Sequence, residues 1–370
     1  MPGIDRRLIQ NFEWPVFVLG LAVSLVGIVN LISASPERSA ANLIPETAWR
    51  QVVWMGLGLA LLLATLLLDY RTLERIAFPF YGAVVTLLVA VLFVGRIVNG
   101  SQRWIDLGPM NLQPSELAKL ALIVLFARIL ARRSATAPVG LLDLAIPAGL
   151  VAIPAALVVK QPDLGTALVL CVVSVSFLAV TRVRLSSILL IGTAGIAAVT
   201  IAWFFFLHDY QKERVFTFLN PERDPLGAAY HSIQAQIAVG AGGLFGKGFL
   251  HGSQSQLDFL PEEQTDFVFS VLGEEWGFVG TAFVLLLYLG ILIRGLQIAH
   301  SSKDLFGAYL SVGIAALFFW EGAINVGMVI GLLPVVGVPL PMLSYGGSAL
   351  LTDMIALGLL MNVSMRRYIF

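Results

Sequence analysis

Charged residues and cysteine are both scarce in this sequence. Only 12% of its 370 residues are charged, and Cys171 is the only cysteine. One cysteine cannot form an intrachain disulfide, and it cannot supply the paired cysteines of a zinc cluster. Basic and acidic residues number 23 each, so no net charge attracts a nucleic acid. A polyanion is therefore not an expected partner.

Apolar residues are abundant and form long runs. They make up 58% of the chain, more than a soluble domain of this size needs. A helix needs about 20 apolar residues to cross a bilayer, because unpaired backbone amides are costly in hydrocarbon. Ten runs fit this description, at 14–33, 51–68, 78–95, 115–130, 142–159, 164–180, 185–206, 267–293, 306–331 and 346–363. The first exceeds the roughly 7–15 apolar residues of a cleavable signal peptide, so we expect a retained helix.

The fold class that follows is an all-α polytopic membrane protein with about ten transmembrane helices in one membrane domain, 1–370. If the N-terminus is cytoplasmic, the inner segments carry 13 Lys and Arg residues and the short outer loops carry five. Such an excess of positive charge marks the cytoplasmic side. We therefore expect both termini to be cytoplasmic.

One connection is much longer than the others. The segment 207–266 lies on the predicted outer face, between the seventh and eighth runs, and long connections in compact folds are usually functional. It contains a helix-like stretch at 228–239 and the glycine-rich sequence GAGGLFGKG at 240–248. We predict a large extracytoplasmic loop.

Ionisable residues in or beside the apolar runs are candidate functional residues, because charge is costly in lipid. Glu116 and Lys119 are three residues apart on one helix face, where they form either an ion pair or a substrate contact. Lys160 and Asp163 flank a proline at the predicted outer mouth, where a turn clamp and a substrate contact are equally consistent. Glu274, Glu321 and Asp353 form a third group, which neighbouring helices can satisfy.

The densest cluster of polar residues is QSQLDFLPEEQTDFVF at 254–269. Asp266 ends the long loop just before an apolar helix, where the helix dipole favours a charged carboxylate. Thr265 or Asp266 can serve there simply as an N-cap. The alternative is a general base at the membrane surface, within reach of the sugar of a lipid-linked substrate.

Three stretches resemble a known family. They are NVGM at 325–328 with GLLPVVGVPLPMLSYGGS at 331–348, the loop sequences from YHSIQ at 230–234 through GKG at 246–248 to TDF at 265–267, and SQRWIDLG at 101–108 with QPSELAK at 113–119. Together they are similar to the SEDS family (shape, elongation, division and sporulation), over nearly the whole chain. The sequence VVGVPLP at 335–341 resembles the elongation branch of that family rather than its division branch.

This resemblance implies a peptidoglycan glycosyltransferase of the bacterial cytoplasmic membrane. It implies an inverting reaction that polymerises lipid II, and a class B penicillin-binding protein as the transpeptidase partner. Asp266 matches the essential acidic residue of the family. Gln264 stands where many relatives have histidine, so we expect the carboxylate rather than an imidazole to act. Other family motif positions fall on Arg50, Glu116, Lys119, Asp163 and Gln234.

The expected mechanism needs one base, because the leaving group, undecaprenyl pyrophosphate, is already a stabilised anion. Asp266 would take the proton from the 4-hydroxyl of the acceptor sugar. The candidate cations for pyrophosphate are Arg50, Arg103, Lys119, Arg214 and Lys247. No cofactor is required by the sequence, no metal-ligand cluster is present in it, and assistance by a divalent cation is left open.

Two other functions stay open at this point. The first is a transporter that carries lipid II across the membrane, although the sequence shows no paired, interrupted helices in two halves. The second is a scaffold without chemistry, which would recruit cell-wall enzymes through its helices.

Overall fold

A computed structural model describes residues 10–35, 44–98, 101–106, 108, 111–133, 140–181, 184–205, 209–220, 229–256 and 263–367. The helices are α1 (Trp14–Ser33), α2 (Glu46–Leu67), α3 (Tyr70–Val94), α4 (Pro114–Ala131), α5 (Leu141–Lys160), α6 (Leu164–Ser176), α7 (Leu185–Phe205), α8 (Asp209–Leu219), α9 (Tyr230–Ala241), α10 (Ser253–Gln256), α11 (Val268–Ser301), α12 (Leu305–Val329) and α13 (Gly347–Arg366). The strands are β1 (Arg96–Val98), β2 (Ser101–Asp106) and β3 (Asn111–Leu112), and a 3-10 turn (Phe177–Val180) follows α6.

The helical membrane fold predicted from composition is confirmed. Within the described ranges, six helices are long and apolar enough to cross a membrane, namely α1, α2, α3, α11, α12 and α13. The other four predicted runs also fall on helices, α4 to α7. The helix-like stretch predicted at 228–239 corresponds to α9.

The eighth predicted run, 267–293, is wrong as a single uninterrupted span. Gly277 has φ +63°, which breaks α11 into a segment, 268–276, that is buried except for Trp276, and a longer segment, 278–301. Sequence hydropathy missed the break because the average over the run stays apolar despite Glu274 and Glu275, and such an average carries no information on φ.

Three helices form the centre of the bundle. In α13, 83% of the most apolar stretch is buried, and in α12 the value is 67%, whereas in α2 it is only 22%. Residues 118–127 of α4 are buried as well. In a membrane protein the exposed apolar surfaces of α2, α3 and segment 278–301 face lipid. The polar residues carried by α4, α12 and α13 are thereby kept away from lipid.

Polar contacts join the helices at each end of this bundle. At one end, Asn30 of α1 donates to the carbonyl of Val268 at 2.8 Å. At the opposite end, the hydroxyl of Ser364 in α13 donates to Glu13 at 2.5 Å, and Glu13 also pairs with Arg294. We call the first end the Asp266 end, because it carries that residue.

A small antiparallel sheet lies between α3 and α4 and was not predicted. Its strand order is β1-β2-β3, and Val98 pairs with Ser101. The sequence between these two residues is Asn-Gly, a strong β-hairpin signal. That signal is available from sequence alone and would have found the hairpin.

Candidate functional site

The backbone around Asp266 is held by residues that are distant in sequence. Asn325 Nδ2 donates to the Asp266 carbonyl at 2.9 Å, and Ser344 Oγ donates to the Thr265 carbonyl at 2.6 Å. The backbone N–H of Tyr345 donates to the Gln264 carbonyl at 2.8 Å. Three consecutive carbonyls are thus fixed by α12 and by the segment that precedes α13.

The N-cap alternative for Thr265 or Asp266 is wrong. Helix α11 begins at Val268, its N-cap is Phe267, and no side chain caps it. Asp266 lies one residue before the cap, in the turn that precedes the helix.

Gly337 shows where the Asp266 carboxylate points. This glycine has φ +74°, and a Cβ atom placed on it would lie 3.2 Å from Asp266 Oδ2. The half-buried carboxylate therefore lies against the segment 331–346, which we call the roof loop. Only a residue without a side chain allows the backbone to approach the carboxylate so closely.

The roof loop keeps its shape through polar residues on three helices. Asn325 of α12 donates to the Val338 carbonyl at 2.8 Å, and Gln51 of α2 donates to the Ser344 carbonyl at 3.1 Å. Asp353 of α13 accepts from the Met342 N–H at 3.0 Å. These bonds satisfy backbone groups that would otherwise be buried without a partner.

A buried charge cluster lies beneath the roof loop. Lys119 Nζ is 2.7 Å from Glu116 Oε2 and also pairs with Glu321 of α12. The exposed fractions are 4% for Lys119, 3% for Glu116 and 2% for Glu321, so the cluster is cut off from solvent. A small cavity lined by Lys119, Glu321 and Asp353 separates it from the loop. The predicted ion pair of Glu116 and Lys119 is confirmed, and α12 adds a third member.

A second charged group surrounds Asp163, which is 2% exposed. Its Oδ2 accepts from Gln113 at 3.2 Å and from the Thr166 hydroxyl at 2.9 Å, and it lies 3.7 Å from an Arg103 nitrogen of strand β2. The N–H of Thr166 donates to Oδ1 at 3.1 Å, so Asp163 caps α6. Of the turn clamp predicted for Lys160 and Asp163, the structure shows the Asp163 part, which includes Arg103, whereas Lys160 is exposed.

The Asp163 group is joined to the start of α13. The N–H of Gln113 donates to Ser348 Oγ at 3.2 Å, and Ser348 Oγ donates to the Asn111 carbonyl at 2.7 Å. Ser348 is the second residue of α13, two residues after the roof loop ends. One short stretch, 344–348, therefore contacts both the Asp266 turn and the Asp163 group.

A cavity of about 130 Å³ opens beside the roof loop. It lies between α8, α9 and the loop, and its lining residues are Arg214, Thr217, Phe218, Ser232, Gln236, Gly331, Leu333, Pro334 and Val335. Arg214 donates to the Val335 carbonyl at 3.2 Å. Val335 is two residues from Gly337, so their Cα atoms are at most about 7 Å apart. A cavity with both polar and apolar lining residues thus borders the same loop as the Asp266 carboxylate.

The remaining predicted residues lie farther out. Arg50 is exposed and pairs with Glu46 at 2.5 Å, and its side chain also hydrogen-bonds that of Tyr345. Lys247 Nζ is 2.7 Å from Glu274. Gln234 is half-buried on α9, and Lys160 is exposed at the end of α5. Arg50 and Lys247 thus each pair with a glutamate, and Arg50 in addition contacts the roof loop through Tyr345.

Sequence reasoning assigned no role to several residues that build the site. They are Gln51, Gln113, Asn325, Gly337, Ser344 and Ser348. Most are uncharged polar residues within or beside apolar runs, which is itself a signal for buried hydrogen bonding. That signal gives no partner, because the partner is 59 residues away for Asn325 and 79 for Ser344.

The fold and the buried polar groups define a multi-pass helical membrane protein with a polar site at one end. The chain belongs to the cell cycle protein family of FtsW, RodA and SpoVE, whose profile matches residues 13–369. The family resemblance inferred from the sequence motifs is confirmed.

Among curated relatives, the peptidoglycan glycosyltransferase MrdB of Escherichia coli K12 is 45% identical over 321 residues, which cover 86% of this chain and 85% of MrdB. The peptidoglycan glycosyltransferase RodA of Treponema pallidum is 35% identical and is matched over 99% of its length, with 98% of this chain. Both are named for the same reaction.

Solved structures of similar proteins share the fold. RodA of Thermus thermophilus, a rod shape determining protein, superposes with a TM-score of 0.72 at 34% identity, covering 96% of this chain and 98% of that one. A chain of a peptidoglycan synthase complex, described as coordinating polymerization and crosslinking, gives a TM-score of 0.80 at 37% identity with the same coverage.

Proposed function

We propose that this protein is a peptidoglycan glycosyltransferase that polymerises lipid II during cell elongation, with Asp266 as its general base. The observation that carries the catalytic assignment is the placement of the Asp266 carboxylate. It lies against Gly337 of the roof loop, on a backbone held by Asn325 and Ser344. Such long-range fixing holds a catalytic group in a defined geometry. The names of the relatives MrdB and RodA support the reaction type.

The reaction assigned to this site is a single displacement. The 4-hydroxyl oxygen of the acceptor sugar attacks the anomeric carbon of the donor, and the bond from that carbon to the pyrophosphate oxygen breaks. The hydroxyl proton passes to the Asp266 carboxylate, and undecaprenyl pyrophosphate leaves with the bonding electrons. One displacement inverts the configuration, and a stabilised leaving group does not need the acid that ordinary glycosidases require.

We assign the pyrophosphate to Arg103 and Arg214. Arg103 has a side chain that is 30% exposed beside Asp163, and Arg214 is an exposed residue that lines the cavity next to the roof loop. Lys119 is better suited to positioning, because it is buried and held by Glu116 and Glu321. Guanidinium groups suit phosphate because they donate several hydrogen bonds in a fixed plane.

The setting of the reaction follows from the membrane fold. A lipid-linked substrate keeps its polyprenyl tail in the bilayer while its head group lies at the surface, and the Asp266 end presents the polar site. We assign the protein to the bacterial inner membrane with the Asp266 end outward. The relative in a synthase complex described as coordinating polymerization and crosslinking supports a class B penicillin-binding protein as partner.

Replacing Asp266 tests the base assignment. With the purified protein and its penicillin-binding partner, Asp266→Asn should lower the rate of lipid II polymerisation by about 100-fold or more, the usual contribution of a general base. Glu213→Gln is the matched control, since Glu213 is an exposed carboxylate of the same loop. Polymerisation by Asp266→Asn at the native rate would remove Asp266 as the base.

The same preparation separates the enzyme from its two alternatives. A transporter moves labelled lipid II between leaflets of a vesicle without making glycan, whereas a polymerase makes glycan in detergent as well. A scaffold supports normal growth when Asp266 is replaced. The proposed enzyme gives glycan in detergent and loses growth with the Asp266→Asn variant.

A further inference from the structure

Large apolar side chains are exposed on the glycine-rich turn after α9. Phe245 is 80% exposed and Leu244 is 65% exposed. Phe278, at the start of segment 278–301, is 66% exposed. Contiguous apolar surface of this kind on a folded protein marks an interaction site rather than a random surface.

Backbone hydrogen bonds place this turn directly beside the start of segment 278–301. The N–H of Phe278 donates to the Gly243 carbonyl at 2.9 Å, and the N–H of Val279 donates to the Leu244 carbonyl at 3.1 Å. The turn and the helix approach each other this closely at Gly277, where a Cβ atom would lie 2.3 Å from the Gly246 nitrogen. Leu244 and Phe245 are therefore neighbours of the first residues of a lipid-facing helix.

Two buried glutamates hold the turn from behind. Glu274 Oε1 accepts from Lys247 Nζ at 2.7 Å and from the Ser253 N–H at 2.8 Å. Glu275 accepts from the Leu250 N–H at 3.1 Å and from the Ser33 hydroxyl of α1. The polar side of the turn is thus satisfied within the protein, while its apolar tip points outward.

The exposed surface continues without interruption down segment 278–301. Val279 is 53% exposed, Phe283 53% and Leu286 63%, and the helix has the length and hydropathy of a membrane span. Trp276, at the top of this surface, is 43% exposed, as tryptophans at membrane interfaces often are. Continuity with a lipid-facing helix identifies lipid as the occupant of the tip.

We propose that Leu244 and Phe245 insert into the leaflet on the Asp266 side and anchor the long loop to the membrane surface. The anchor acts on the site because Glu274 and Glu275 belong to the segment 268–276, which begins two residues after Asp266. The tip thereby fixes the height of the general base relative to the lipid head groups. The substrate requires this because its tail stays in the bilayer, so its head group lies at a fixed distance from the membrane surface and the base must lie at the same level.

The insertion depth of the tip can be measured by spin labelling. In a Cys171→Ser background, a nitroxide is attached to Phe245→Cys or, separately, to Leu244→Cys, and the full chain is placed in vesicles of phosphatidylethanolamine and phosphatidylglycerol. Leu286→Cys serves as the lipid-embedded reference, and Asn220→Cys, an exposed residue after α8, serves as the aqueous reference. A single symmetric peak in size-exclusion chromatography and a native helical circular dichroism spectrum verify that each labelled protein has folded.

Both tip positions should be more accessible to oxygen than to a water-soluble nickel chelate, at a depth of about 5–10 Å below the phosphates. Asn220→Cys should show the opposite ratio. Accessibility at positions 244 and 245 equal to that at Asn220→Cys would overturn the proposal. Protection from the chelate that arises only after the penicillin-binding protein is added would also overturn it, in favour of a protein partner. The depth is read without substrate, so it stands independently of the proposed reaction.

Discussion

Gly337 is the residue whose lack of a side chain most directly affects the proposed base. Its φ of +74° and its closeness to Asp266 Oδ2 mean that Gly337→Ala strains the backbone by about 1–2 kcal/mol and crowds the carboxylate. We expect a loss of polymerisation of at least tenfold, seen mainly in kcat, while the purified protein still folds.

The control for Gly337→Ala is Gly56→Ala. Gly56 lies in α2, and a Cβ atom there would meet no atom within 4 Å, so activity should be native. If Gly337→Ala polymerised lipid II as fast as Gly56→Ala, the contact of the loop with the carboxylate would have no catalytic role.

Lys119 lies between two buried carboxylates, and its removal leaves both without their cation. Lys119→Met should lower the free energy of unfolding by about 3–5 kcal/mol, the cost of leaving buried charge unpaired. The double variant Lys119→Met/Glu321→Gln should recover part of that loss. Denaturant unfolding in detergent measures both. Arg132→Met, which breaks the exposed pair of Arg132 with Glu74, should change stability little.

Single residues were predictable from sequence where charge made them conspicuous. Asp266, Asp163 and the pair of Glu116 and Lys119 stand out because ionisable groups are rare among apolar runs. Asn325 and Ser344 did not, because their function is to bind carbonyls 59 and 79 residues away. Sequence spacing contains no information about contacts of that range.

At the scale of elements, the segment 268–276 holds the glycine-rich turn through Glu274. Glu274→Ala removes acceptors for Lys247, Ser253 and Gln254, and each bond to a charged group is worth about 1.5–3 kcal/mol. We expect trypsin to cut after Lys247 about tenfold faster or more than in the native chain, as followed by mass spectrometry.

The matched variant for this experiment is Glu213→Ala, on α8 in the same loop. Glu213 is exposed, so its removal should leave the cleavage rate after Lys247 unchanged. Equal rates in the native chain and in Glu274→Ala would mean that the turn is held by other contacts.

Elements were predictable where a long apolar run gives one helix. The boundary between α5 and α6 was also located, because Pro162 and the capping Asp163 separate two apolar runs. The break at Gly277 was not located, although the charged Glu274 and Glu275 just before it interrupt the apolar run, because sequence hydropathy carries no information on the φ of a glycine. The hairpin of β1 and β2 was overlooked because runs of apolar residues dominated the interpretation of a chain that also contains short alternating segments.

For the whole molecule, the distribution of Lys and Arg predicts that the Asp266 end lies outside the cell. The helix ends meet in two separate groups of contacts, so labelling one residue at each end tests this orientation. In the Cys171→Ser background, Asn220→Cys should react with a membrane-impermeant maleimide in intact spheroplasts. His300→Cys, an exposed residue near the end of α11, should react only after the membrane is opened.

Reversed labelling would place Asp266 on the cytoplasmic side, which would contradict the proposed enzyme.

The composition alone predicted a helical membrane protein, because a lipid bilayer rather than water suits so much apolar surface. It could not predict which helices are central, since the amounts of apolar residue in α2 and α13 are similar while their burial differs widely.

The Asp266 turn also has a consequence for biosynthesis. Its three carbonyls are bound by Asn325, Ser344 and Tyr345, which the ribosome translates only after the turn itself has been made. A partly translated chain therefore has the aspartate without the residues that hold it in place. We therefore expect products truncated before Asn325 to lack the residues that fix the proposed base, and so not to consume cell-wall precursor.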